Sequence, residues 1–136
     1  MKFPEFLRVR GDIAYRGICP LEDAELATFF NELRSRYPAV ALAATHVANE
    51  GKRTPQQARK AKAMGMKKGF ADIIIAGAPA LVIEMKRQDH TKSRWQDGQI
   101  EALEAAQKLG AFVCVALGWR AAMLAVEEWL ACVPTS

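Results

Sequence analysis

The sequence predicts an α/β fold in which a small mixed β-sheet is flanked by helices. Two apolar, β-rich runs at residues 70–76 and 81–86 surround the turn residues 77–80 and indicate a hairpin. A third apolar run, at residues 111–117, is short and uninterrupted, as expected for a buried strand. Segments with helical periodicity lie before, between and after these runs, so we expect the helices to pack on the sheet.

The predicted elements follow one another in the order α-β-α-β-β-α-β-α. Thr54 is a good N-cap and Pro55 suits the first helical position, so a helix begins there. Gly110 ends the helix before the last strand. The helices are predicted at residues 21–36, 55–64, 94–109 and 119–132, and the strands at residues 40–47, 70–76, 81–86 and 111–117. Residues 1–20, punctuated by two prolines and two glycines, are predicted to be irregular.

Length and composition predict a single domain over residues 1–136. A chain of 136 residues suits one core, and a hydrophobic content of 51% is ordinary for a globular protein. No apolar run approaches the ~20 residues that span a bilayer, and the start of the chain does not resemble a signal peptide. We therefore expect a cytoplasmic protein with no membrane partner. The three scattered cysteines form no CxxC pair, which argues against a zinc ribbon or a disulfide framework.

Basic residues concentrate in two stretches, although the net charge is only +4. Seven lie between residues 52 and 68, where no acidic residue occurs, and four lie between residues 86 and 94, where Asp89 is the single acid. Such stretches suit a polyanion such as DNA, and a solvated surface is the plainer alternative. The candidate DNA contacts are Lys52, Arg53, Lys67, Lys68, Arg87 and Lys92.

The residues that suggest chemistry are Asp72, Glu84 and Lys86. Asp72 opens the first strand of the predicted hairpin, and the other two lie near the end of the second strand. Because side chains alternate along a strand, Glu84 and Lys86 share one face, while Ile83 and Met85 share the other. The start of the first hairpin strand pairs with the end of the second, so Asp72 is expected close to Glu84.

Two neighbouring carboxylates raise each other's proton affinity, and a divalent cation removes that cost. Carboxylate oxygens and water are the usual ligands of Mg²⁺, and the backbone carbonyl of Met85 offers a further ligand. Lys86 could then position an attacking water or stabilise charge on a phosphate. The alternative is structural: Asp72 begins a strand, and Glu84 and Lys86 form an ion pair at a sheet edge. The residues alone leave both interpretations open.

The ordered motifs resemble those of VRR-NUC domains in the PD-(D/E)XK nuclease superfamily. The resemblance covers roughly residues 22–118 and includes a basic helix at residues 55–64 and a segment at residues 46–53 that precedes it. Ala71 stands where the family usually has proline, at a position that shapes the turn. The matching motifs are Lys68-Gly69-Phe70-Ala71-Asp72, Ile83-Glu84-Met85-Lys86-Arg87, Gln99 and Gly110.

The resemblance implies a restriction-endonuclease-like core and an endodeoxyribonuclease that depends on Mg²⁺ or Mn²⁺. It also implies an acidic residue on the first helix that completes the metal site. Glu22 matches better than Glu25, because Glu22 opens the helix. Gln99 is expected to point back to the site and touch a metal-bound water or a phosphate, unless it is an ordinary exposed helix residue. His46 and Asn49 are weaker candidates, more typical of a strand and a turn.

The resemblance further implies what the enzyme acts on. Stand-alone VRR-NUC proteins of bacteria and phages look like homodimers that cut branched DNA, including four-way (Holliday) junctions, and a short chain fits that design. Two alternatives remain: a nucleic-acid-binding module without catalysis, and a nuclease acting on flap or linear DNA in repair or restriction.

Overall fold

A computed structural model describes residues 1–47, 53–67 and 69–134. The candidate residues Asn49, Lys52 and Lys68 lie outside these ranges. The strands are β1 (Arg8–Arg10), β2 (Ala44–His46), β3 (Ile73–Ile75), β4 (Leu81–Lys86) and β5 (Phe112–Leu117). The helices are α1 (Glu22–Arg36), α2 (Pro38–Leu42), α3 (Pro55–Ala63), α4 (Gln99–Lys108) and α5 (Trp119–Leu130), and His90–Lys92 forms one 3₁₀ turn.

The five strands form one mixed sheet in the order β1-β5-β4-β3-β2. β4 runs parallel to β5 and antiparallel to β3, and β5 runs parallel to β1. All six residues of β4 are buried, because the strand is central and both faces of the sheet are covered. The predicted α/β class, with a mixed sheet between helices, is confirmed.

The two faces of the sheet support separate cores. Ile83 and Met85 face a larger core built with α1 and α5. Val82, on the opposite face, packs in a smaller core with Leu103 of α4 and with Leu7 of the N-terminal segment. Side chains alternate along β4, so Glu84 and Lys86 extend from the same face as Val82. They therefore lie on the α4 side, at the end of the sheet where β4 finishes.

Two elements were not in the predicted order. Residues 40–47 were expected to form one strand, but Pro38–Leu42 is helical and only Ala44–His46 is extended. Proline is well suited to the first turn of a helix, and a short apolar run does not distinguish a helix from a strand. Within the segment expected to be irregular, Arg8–Arg10 pairs with β5. That strand is only three residues long, too short for its sequence pattern to indicate a strand, and it is paired with β5.

The helix expected from residue 94 begins only at Gln99, because Gly98 precedes it with a left-handed backbone (φ +87°). Gly69 is also left-handed, with φ +78°. A Cβ at Gly69 would overlap the carbonyl oxygen of Asp97, so only glycine allows the backbone to approach so closely. This contact joins the turn before β3 to the start of α4. Asp72 and Gln99 are thereby held at the same end of the sheet.

Among the described residues, the helices are too short or too polar to cross a bilayer.

Candidate metal centre and catalytic site

Three carboxylates from separate elements converge where β4 ends. Glu22 is the first residue of α1, Asp72 immediately precedes β3, and Glu84 lies on β4. One oxygen of each lies within 4.8 Å of the other two. The hairpin register explains the pair on the sheet: Ile73 is opposite Ile83, so Asp72 comes opposite Glu84.

The fold buries this cluster without fully compensating its charge. The Glu84 side chain is only 1% exposed, and its Oε2 has no hydrogen-bond partner in the described part of the chain. Burial raises the pKa of Glu84 well above its ordinary range, and Asp72 raises it further. Burial also raises the pKa of Glu22, although the charge of Lys86 acts in the opposite direction. The protein alone therefore disfavours the ionised forms of Glu84 and Glu22.

Asp72, the residue before β3 begins, continues the pairing with β4 through its side chain. Its Oδ2 accepts a hydrogen bond from the backbone N–H of Met85 at 2.8 Å. The N–H and C=O groups of a strand residue point to the same side, so the Met85 carbonyl also faces the β3 side of β4. That is the side on which Asp72 lies.

Lys86 is almost completely buried, with 2% of its side chain exposed. Its Nζ donates hydrogen bonds to the carbonyl of Arg94 at 2.8 Å and to Gln99 Oε1 at 3.1 Å. It lies 3.8 Å from Glu84 Oε1, and the ring centroid of Trp95 is 5.1 Å away. Burying an ammonium is costly unless it is hydrogen-bonded, and the loop after β4 and the first residue of α4 supply these bonds.

The side-chain amide of Gln99 bridges Glu84 and Lys86 by hydrogen bonds. Its Nε2 donates to Glu84 Oε1 at 3.1 Å, while its Oε1 accepts from Lys86 and from the backbone N–H of Gln96. Both of those groups can only donate, so the orientation of the amide is fixed. The side chain is 4% exposed and points back into the sheet, unlike an ordinary surface glutamine.

The structure does not bring Glu25 into the carboxylate cluster. Glu25 is buried and accepts a hydrogen bond from Gln88 Nε2 at 3.2 Å. His46 is exposed, and its Nδ1 lies 2.8 Å from the backbone oxygen of Asp72. His46 therefore contacts the backbone of a cluster residue and not the carboxylates themselves.

Two of the candidate DNA-binding cations are engaged within the protein. The Arg87 guanidinium donates to the carbonyls of Cys19 at 2.7 Å and Pro20 at 3.0 Å. Lys92 Nζ donates to the carbonyl of Gly17 at 2.7 Å. These bonds fasten the segment that leads into α1 and so help to place Glu22. Arg53 and Lys67, in contrast, are exposed on either side of α3.

Comparison with known proteins gives an informative match among the solved structures. No family model matches the chain, and no curated protein does. A solved structure of a VRR-NUC domain protein superimposes with a TM-score of 0.66 at 25% sequence identity, covering 86% of this chain and 92% of the other. The chain folds as a VRR-NUC domain. This match confirms the family that was predicted from the motifs, which is a family of nuclease domains.

The cluster in this VRR-NUC domain fits a divalent cation. All three side chains offer hard oxygen ligands, which Mg²⁺ and Mn²⁺ prefer. Their separation, within 4.8 Å, is close to the ~4.2 Å maximum between two oxygens bound to one ion at ~2.1 Å. The unpartnered Glu84 Oε2 is a buried acceptor that a cation would satisfy.

One site residue was missed from the sequence of this VRR-NUC domain. Ser93 Oγ donates to Glu22 Oε2 at 2.9 Å and accepts from the backbone N–H of Arg87 at 3.0 Å. Ser93 occurs in a polar loop and belongs to no motif, and Glu22 is 71 positions away. No local pattern in the sequence could have indicated the contact.

The raised pKa of Glu84 predicts how the metal-free protein responds to pH. A carboxyl group whose pKa is higher in the folded state stabilises that state fully below its unfolded pKa. The contribution is lost as pH rises through the folded pKa. In a chelating buffer, we therefore expect the free energy of unfolding, measured by denaturant titration, to fall as pH rises above the ordinary carboxyl range. Glu84→Gln should reduce this fall, because an amide does not titrate, and an unchanged pH dependence would contradict the account.

Proposed function

We propose that this VRR-NUC domain is a metal-dependent endonuclease that hydrolyses phosphodiester bonds in branched DNA, including four-way junctions. The observation that carries the proposal is the buried carboxylate cluster beside a buried lysine. Glu84 Oε2 lacks a partner within the described residues, and Lys86 Nζ lies 3.8 Å from the other oxygen of the same side chain. Burying the Glu84 carboxylate and the Lys86 ammonium lowers the stability of the fold, and both groups lie where a phosphate and a cation would meet.

Glu22, Asp72, Glu84 and the carbonyl of Met85 are the proposed ligands of Mg²⁺ or Mn²⁺. When bound, the cation would supply Lewis-acid polarisation of the phosphate and activation of the attacking water. The protein's own contribution is to hold the ligands in place before the cation binds. The Met85 N–H fixes Asp72, and the amide of Gln99 fixes one oxygen of Glu84.

Lys86 is proposed to stabilise negative charge that develops on the phosphate during hydrolysis. An ammonium has three N–H donors, and in the described chain two of them are directed to Arg94 and Gln99. The third remains for a phosphate oxygen or for the attacking water. Fixed donors in a buried site need little reorganisation as charge develops, which makes their stabilisation large. Gln99 is then a positioning residue for both Glu84 and Lys86.

Helix α3 is proposed to bind the phosphate backbone of the DNA. Its residues are exposed or half-exposed and none is buried, so packing does not explain why the helix forms. It is stabilised locally by a capping box between Thr54 and Gln57. Arg59, Lys60 and Lys62 project from it, and residues 51–71 contain no acid. A positively charged helix that buries none of its residues suits contact with phosphates, which gives affinity without sequence selectivity.

The proposed active form is a single-domain chain that pairs as a cytoplasmic homodimer. Two-fold symmetry would present two metal sites to one junction and allow paired cuts. Sedimentation equilibrium tests this directly: a dimer is expected at the concentrations used for cleavage. A protein that remains monomeric while bound to a four-way junction would remove the paired-cut part of the proposal.

We expect the wild-type protein to cut a four-way junction in Mg²⁺ or Mn²⁺ and to be inactive in chelator. Asp72→Asn and Lys86→Met should each lower the single-turnover cleavage rate by about a hundredfold or more, since the first removes a charged ligand of the cation and the second removes the ammonium that stabilises the reacting phosphate. Denaturing gels with labelled strands measure the rates. Glu104→Gln, on the exposed side of α4, is the matched control and should cut as the wild type does.

The substrate is tested in the same assay with flap, single-stranded and linear duplex DNA of matched length. Faster cleavage of the junction is the expected result, and equal rates on all four DNAs would overturn the claim of branch selectivity. A wild-type protein that binds the junction but cuts none of these substrates in either metal would favour a binding module without catalysis.

The role of α3 predicts a change in salt dependence. Replacing Arg59, Lys60 and Lys62 by Gln should weaken junction binding and make the slope of log K against log[salt] less negative by up to about 2.7, since each phosphate contact contributes about 0.9. The free energy of unfolding should not change, because no residue of α3 is buried. The control replaces three exposed cations outside the basic segment, Arg34, Lys108 and Arg120. An equal change of slope in both triple variants would refute a specific role for α3.

A further inference from the structure

The loop between β4 and α4 contains a serine that bridges two parts of the site. Ser93 lies just after the 3₁₀ turn His90–Lys92. Its hydroxyl accepts a hydrogen bond from the backbone N–H of Arg87, which directly follows Lys86, at 3.0 Å. The same hydroxyl donates to Glu22 Oε2 at 2.9 Å. Glu22 belongs to α1, an element on the other side of the sheet from α4.

The backbone bond determines the direction of the serine proton. An amide N–H can only donate, so the Ser93 oxygen must accept from Arg87. The hydroxyl hydrogen is then free to point at Glu22, whose carboxylate can only accept. One oxygen of Glu22 is therefore held by Ser93, and the carboxylate plane is fixed relative to the end of β4.

We infer that Ser93 is a positioning residue that orients Glu22 toward the cation. This inference rests on the proposed metal site and extends it to a residue outside the carboxylate cluster. Ser93 is not itself one of the three converging carboxylates. It fixes the one ligand that does not come from the hairpin, so α1 and β4 present their carboxylates together. Groups that orient metal ligands contribute strongly to metal affinity.

The first test measures Mn²⁺ affinity by isothermal titration calorimetry on the full chain, without DNA. Ser93→Ala should weaken Mn²⁺ binding by about tenfold or more. Ser93→Thr, which keeps the hydroxyl, should restore most of the affinity. Ser35→Ala, at an exposed position of α1, is the control and should bind as the wild type does.

A double-mutant cycle separates orientation of Glu22 from a general effect on the fold. In a Glu22→Gln background, Ser93→Ala should cost little further affinity, because the ligand that it orients has already been removed. If the two losses add fully, or if Ser93→Ala binds Mn²⁺ as tightly as the wild type, Ser93 does not position Glu22. In either case the metal site itself stands, whereas a wild-type protein that binds no Mn²⁺ overturns both the inference and the proposed function.

Discussion

Glu84 lies in the centre of the sheet, where solvent cannot stabilise its charge, and the rest of the site is arranged around it. β4 is covered on both faces, and Glu84 follows the alternation that buries Val82 and Lys86. An ionised group in such a place is costly unless it is paired and hydrogen-bonded. The fold supplies one amide donor, from Gln99, and a lysine 3.8 Å away, but leaves Oε2 without a partner among the described residues. A divalent cation would supply a positively charged partner for Glu84 Oε2.

The metal ligands and Lys86 are held together because several chain segments contact one loop, residues 87–98. Residues 87–98, between β4 and α4, provide the Arg94 carbonyl for Lys86 and the Ser93 hydroxyl for Glu22. The same loop packs its Asp97 carbonyl against Gly69, close to Asp72. Arg87 at its start holds the segment before α1. A change in this loop should therefore disturb the metal ligands and the lysine together, although the loop contributes no carboxylate to the cluster.

Local patterns in the sequence predicted the parts of the fold that local forces determine. The hairpin of β3 and β4 follows from two β-rich runs around a turn, and the start of α3 follows from its capping residues. Because strand register fixes which side chains meet, the proximity of Asp72 and Glu84 could be predicted as well. β1 could not be predicted, since Arg8–Arg10 is stabilised by pairing with β5 and not by its own composition. The role of Ser93 could not be predicted either, because its partner Glu22 is distant in the sequence.

For Gln99, the family resemblance identified a candidate site residue but not its contacts. The resemblance singled out the residue, but only the structure places its amide between Glu84 and Lys86. Likewise, Arg87 and Lys92 were predicted from charge alone to contact DNA, and the structure directs both to backbone carbonyls of residues 17–20. Basic composition indicates a polyanion partner, but it does not distinguish cations that contact DNA from cations that hold the protein together.

The most direct test of the account is a crystal structure with Mn²⁺, in which anomalous scattering locates the ion. We expect one strong peak bound by oxygens of Glu22, Asp72 and Glu84, with Glu84 Oε2 among its ligands. Anomalous density only at other positions, with the three carboxylates unchanged and Glu84 Oε2 still unpartnered, would contradict the central claim that this cluster is a metal centre.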